Sequence, residues 1–97
     1  MRRVKDISYD LIIQYNRSSI SGLIELISNL YTIVHIDNDL SVMDYHELTL
    51  YIEQRYHCNR QGQCINLNLN MFMCNYCVIN IINDGIKNKE IILYYKD

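Results

Sequence analysis

One stretch restricts the fold of this chain more than any other. From Ile65 to Met73 the odd positions are Ile65, Leu67, Leu69, Met71 and Met73, while Asn66, Asn68 and Asn70 hold even ones. Period two is the mark of a strand with one buried face, because successive side chains on a strand point to opposite sides. All four cysteines flank this stretch, Cys58 and Cys64 before it and Cys74 and Cys77 after it. Between Gln61 and Asn83 there is no formal charge, a length that raises a membrane-spanning helix. Six asparagines in that window and the two-residue period speak against one.

The flanking segments give a mixed pattern. Ile7, Tyr9, Leu11, Ile13 and Tyr15 alternate with mostly polar neighbours, which predicts a strand over 7–15. Ile20, Leu23, Ile24, Ile27, Leu30 and Tyr31 then recur at helical spacing behind the capping serines Ser18 and Ser19, predicting an amphipathic helix over 19–31. Thr32 to Ile36 is apolar and β-branched and reads as a short strand. Asp44-Tyr45-His46-Glu47 has the spacing of a capping box, with Leu48, Tyr51, Ile52 and Tyr56 on one face behind it, so a second helix is expected over 43–57. Asn83-Asp84-Gly85 is a turn signal and Glu90 to Tyr95 a further strand, one that must be paired or covered to be safe as an edge. The order β-α-β-α-β-β-β describes a single α+β domain over 1–97, a mostly antiparallel sheet of four to five strands with two amphipathic helices.

The cysteines pose a chemical question. Cys58, Cys64, Cys74 and Cys77, with His57 as a substitute ligand, supply the N/S donors that a structural zinc takes in tetrahedral geometry. Cys74 and Cys77 have ligand spacing, yet residues i and i+3 of a continuous strand point to opposite faces. Both reach one metal only if the chain turns at Asn75-Tyr76. Reduced core thiols and a disulfide or reactive thiol are the other readings. Asp37, Asp39 and Ser41 begin like a calcium loop, but Val42 and Leu48 stand where glycine and glutamate are required. His35, Asp37, Asp39 and Asp44 could hold a divalent ion or serve acid–base chemistry, but a polar turn followed by a helix cap explains the aspartates without any function.

Charge and composition limit the functional classes. The net charge is −2, so general polyanion binding is not favoured and nucleic acid has to be met by a local patch. Arg55, Tyr56 and Arg60 around the cysteine loop form one such set, to which Arg2, Arg3 and Lys5 could add. Adjacent Tyr94 and Tyr95 must face opposite sides of a strand, and exposed tyrosines make effective interface residues. Ala, Pro and Trp are absent, whereas Ile occurs 16 times, Asn 11 times and Tyr 9 times. That bias follows AT-rich codons. Met1 to Asp6 leads into an alternating segment and not an apolar leader, so a cytoplasmic chain with no membrane segment is expected.

The expectation is a non-enzymatic interaction protein, an accessory factor of an AT-rich virus, phage or mobile element that blocks a host or cognate protein such as a host-defence complex. A small zinc-stabilised nucleic-acid-binding or transcription module is the alternative. The interaction residues are then Arg55, Tyr56, Arg60, Tyr94 and Tyr95. The cofactor is none or one structural zinc, and a homodimer is compatible with either reading.

Overall fold

The computed structural model describes residues 2–11, 20–36, 40–55, 66–67, 70–71 and 75–96. In chain order these form β1 (Arg3–Val4), α1 (Ile20–Leu30), β2 (Tyr31–His35), β3 (Ser41–Val42), α2 (Tyr45–Arg55), β4 (Asn66–Leu67), β5 (Asn70–Met71), α3 (Asn75–Lys87) and β6 (Ile91–Tyr95). Four strands make one sheet in the order β1-β6-β2-β3, with every neighbouring pair antiparallel. The chain is thus an α+β fold on an antiparallel sheet, as its patterning predicts, with α3 as a helix beyond the two expected.

Each helix turns one apolar stripe onto the same face of the sheet. Leu23, Ile24 and Ile27 of α1, Leu48, Tyr51 and Ile52 of α2, and Val78, Ile79 and Ile82 of α3 join Val4, Ile33, Ile91 and Leu93 in one buried cluster. Burying such a side chain contributes about 1.5–3 kcal/mol each, so this cluster is the main source of stability. The N-cap forms as its spacing requires: the Glu47 N–H donates to Asp44 Oδ1 at 2.8 Å, satisfying one of the orphan amides that open α2. β6 lies inside the sheet, paired with β1 through Arg3 and Val4 and with β2 over its whole length.

Three segments depart from the periodicity. Residues 10 and 11 are helical, so the described part of the strand predicted over 7–15, residues 7–11, is a turn into helix behind β1, and 12–15 lie outside the described residues. Ile7 and Leu11 are both buried, and their spacing of four serves a helical turn as well as a strand. In the alternating stretch, Asn66 pairs with Met71 and Leu67 with Asn70, so the chain doubles back between β4 and β5 and does not run on as one strand. From Asn75 to Lys87 it is helical, and the expected turn at Asn83-Asp84-Gly85 lies inside α3. The chain turns later: the Glu90 N–H donates to Gly85 O at 2.8 Å and the Lys89 N–H to Ile86 O at 3.2 Å. These crossed bonds form a Schellman ending. Lys89 takes the left-handed position, φ 61°, where glycine is usual.

No helix among the described residues is long and apolar enough to cross a membrane.

Candidate functional site

The most developed polar cluster lies where the end of β2, the last turn of α2 and the start of β6 meet. The Schellman ending of α3 delivers Glu90 to this point. Its Oε2 accepts from the Tyr51 hydroxyl at 3.0 Å and from Arg55 Nε at 2.9 Å. The Arg55 guanidinium lies over the Tyr51 ring, 3.7 Å from its centroid, and His35 meets the same ring edge-on at 6.2 Å. Tyr51 is only 3% exposed while the Arg55–Glu90 pair is about one-third open to water. The ion pair itself is therefore worth no more than about 1 kcal/mol, and the stacked cation adds a similar amount.

Gly85 makes this packing possible. A Cβ there would come within 3.1 Å of two Ile91 side-chain carbons and closer still to the Tyr51 hydroxyl. The glycine serves close approach between α3 and Tyr51, not a turn.

The electrostatics move both titrating partners away from neutrality. Burial first, and then the hydrogen bond to Glu90, raise the Tyr51 hydroxyl well above the ordinary tyrosine range. The hydrogen bond from Tyr51, then that from Arg55, hold the Glu90 carboxyl below its ordinary range. Tyr51, Arg55 and Glu90 thus form a hydrogen-bonded strut between α2 and the start of β6. Two small cavities flank the strut. One of about 200 Å³ is bounded by Arg55, Asp84, Asn88 and Glu90; the other, about 170 Å³, lies beside His35, Glu47 and Gln54. His35 Nδ1 is buried with no hydrogen-bond partner among the described residues.

The predicted site residues do not gather here. Arg55 is held by Glu90, and Tyr56, His57, Cys58, Arg60, Cys64 and Cys74 lie outside the described residues. Cys77 is buried in the first turn of α3. Because the chain is helical from Asn75, the strand-parity condition on Cys74 and Cys77 no longer applies. Among the described residues, no group of three or more His, Cys, Asp or Glu side chains is placed to hold a metal. Tyr94 and Tyr95 sit at the far end of β6 from Glu90, roughly 13–17 Å away at strand rise.

Two features lay outside the sequence reading. Asn83 on α3 clamps the N-terminal segment: its Oδ1 accepts from the Ile7 N–H at 2.7 Å and its Nδ2 donates to the Ile7 carbonyl at 3.0 Å. One turn earlier, Asn80 accepts from the Tyr9 hydroxyl, and Tyr9 packs on Tyr76 at 5.4 Å. Their i, i+4, i+7 spacing, Tyr76, Asn80, Asn83, is a helical signal that could have been read.

The second feature is the β3 margin, where Leu40 and Val42 are each 61% exposed and Leu40 has φ 61°. β3 ends the sheet on that side. Compared with known protein families, with curated proteins and with solved structures, the chain matches none.

Proposed function

We propose that this chain is a non-enzymatic interaction protein that captures an extended segment of a partner protein along the β3 margin of its sheet and covers the partner's surface. The observation that carries this reading is Val42 on the edge strand and Leu40 in the turn just before it, apolar side chains each 61% exposed. A bare edge offers unpaired backbone donors and acceptors to an added strand, and alternate side chains give that strand its specificity. Leu40 adds a second mark, because a leucine held in the left-handed region costs on the order of 1–2 kcal/mol. Strain of this kind collects at functional positions.

The AT-rich composition supports an accessory protein of a virus, phage or mobile element, acting in the cytoplasm on a host protein, a defence complex being one target of suitable kind. Affinity capture from the native host tests the reading when it is run beside Leu40→Asp and Val42→Asp. The expected result is one partner retained by the parent chain and lost by both variants, with melting temperatures unchanged. Retention by the variants, or a chain that self-associates through this edge and captures nothing, would overturn it. Metal analysis of untagged protein tests the separate proposal that Cys58, Cys64, Cys74 and Cys77 hold a structural zinc: one zinc per chain supports it, and well under one removes it.

A further inference from the structure

At the opposite edge of the sheet the surface has a different chemistry. The register sets Arg3 of β1 directly beside Tyr94 of β6, and on the other side of Tyr94 lies Thr32. These three share the sheet face opposite the helices. Arg2 reaches the helix side, where its guanidinium lies 4.8 Å from the Tyr95 ring centroid, and Tyr31 packs against the same ring at 5.8 Å. Arg2, Arg3 and Lys5 are exposed, and Tyr95 is 38% exposed. Residues 2–6 and 94–97 contain Arg2, Arg3, Lys5 and Lys96 against Asp6 and Asp97, a local excess of positive charge on a chain whose net charge is −2. Lys96 Nζ donates to Ser28 O at 3.0 Å, so it adds to the field while Arg2, Arg3 and Lys5 provide the contacts.

From this juxtaposition we propose that the β1–β6 end of the sheet binds single-stranded nucleic acid, with Tyr94 as the stacking platform and Arg2, Arg3 and Lys5 as phosphate ligands. Edge protection accounts for charged side chains on β1. It does not account for Tyr94 beside Arg3 on the outer face, or for an arginine lying over the Tyr95 ring on the other. An aromatic face accepts any base, and neighbouring cations accept the phosphates that follow it. Arg2, its guanidinium over the Tyr95 ring, adds a cation at the same end of the sheet. Bases within a duplex have no free face to give Tyr94, so the surface selects single strands. It lies across the sheet from β3 and does not depend on the reading of that edge.

Fluorescence anisotropy with a short labelled oligothymidylate tests the assignment, using the whole chain. The expected result is saturable binding at low salt, with log K falling against log salt at a slope of about −2 for three phosphate contacts. Tyr94→Ala should weaken binding about tenfold, Tyr94→Phe should restore it, and Arg3→Gln should weaken it and flatten the salt slope. Lys87→Gln, on the last turn of α3, should leave it unchanged. Arg3 is exposed, so its variant keeps the test decisive if Tyr94→Ala lowers the melting temperature.

No binding at low salt overturns the proposal. So does equal affinity for the matching duplex or for polyphosphate with Tyr94→Ala without effect, which would leave only charge. A captured protein that is lost on Arg3→Gln, with the oligonucleotide ignored, would assign the surface to a protein instead.

Discussion

The two faces of the sheet are built from the same kinds of residue and meet opposite fates. On the helix side Val4, Ile33, Ile91 and Leu93 are each no more than 1% exposed and belong to the single core cluster. On the other side Val34 is 9% exposed and Val42 61%, Ile92 and Tyr94 are half-buried, and none of the four joins that cluster. Strands covered on both faces read as continuous apolar runs, while half-covered ones alternate. β2 and β6 read as continuous runs, yet only one of their faces meets the helical core. Burial here is decided by where three helices dock and not by the strands themselves. Of the apolar side chains left outside that core, Val42 is open while Val34 is buried.

The largest test of that contrast is a pair of truncations on adjacent residues of β6. Leu93→Ala should cost about 2–5 kcal/mol, the transfer loss plus a cavity that close-packed helices cannot fill. Ile92→Ala should cost less than about 1 kcal/mol, since its side chain is only half-buried and lies outside the core cluster. Urea unfolding midpoints measure both; equal losses would mean that the second face is as well covered as the first. Gly85→Ala comes next, at about 1–3 kcal/mol from overpacking against Tyr51 and Ile91. Unlike an ordinary helical Gly→Ala change, which stabilises, it should lower the melting temperature, and a rise would show that Tyr51 can move aside.

How much of this was legible in the sequence varies with how local its cause is. The helix at 20–30, the Asp44–Glu47 cap and the strand at 91–95 rest on neighbours within a turn or two, and their signals are direct. α3 was hidden because Val78, Ile79, Ile81 and Ile82 are β-branched and Asn83-Asp84-Gly85 imitates a turn. The helical spacing of Val78, Ile82 and Gly85 was present but outweighed by propensity, which tertiary packing overrides. β1 was missed because a two-residue strand needs only one inward residue, Val4, and its companions Arg2, Arg3 and Lys5 look like a solvated tail. Of the polar cluster, Arg55 could be singled out from sequence. Glu90 could not, because it is brought to Arg55 across 35 positions by the way α3 ends.

The Asn83 clamp sharpens the comparison from the helix side. Its two hydrogen bonds hold Ile7, and with it the chain leading from Val4, against α3. Asn83→Ala should leave both Ile7 backbone groups without these partners and cost about 1–2 kcal/mol. Hydrogen exchange should show the Ile7 amide losing protection while the Leu93 amide keeps its own. Equal loss at both would mean that the clamp supports the whole core and not one segment.

The smallest effect concerns charge at the margin of the covered face. Glu90 titrates below its ordinary value in the folded chain because it accepts from Tyr51 and Arg55. A carboxyl lowered in this way contributes stability above its unfolded pKa and loses that contribution as pH falls through the folded one. Stability should therefore decline on the acid side of the ordinary glutamate value, by less than about 1 kcal/mol from this group because the pair is partly open to water. Tyr51 has the opposite sign: its raised pKa makes the hydroxyl's contribution complete below the ordinary tyrosine value and lost as pH climbs beyond it. Glu90→Gln keeps an acceptor for Tyr51 and removes the charge facing Arg55, so it should flatten the acid limb and shrink the alkaline one, which still begins at the ordinary tyrosine value but ends at a lower pH. Val42→Asp, on the other face, should leave the alkaline limb where it is. If Glu90→Gln leaves the acid slope intact, another carboxylate governs it and the strut does not set the pH dependence of the covered face.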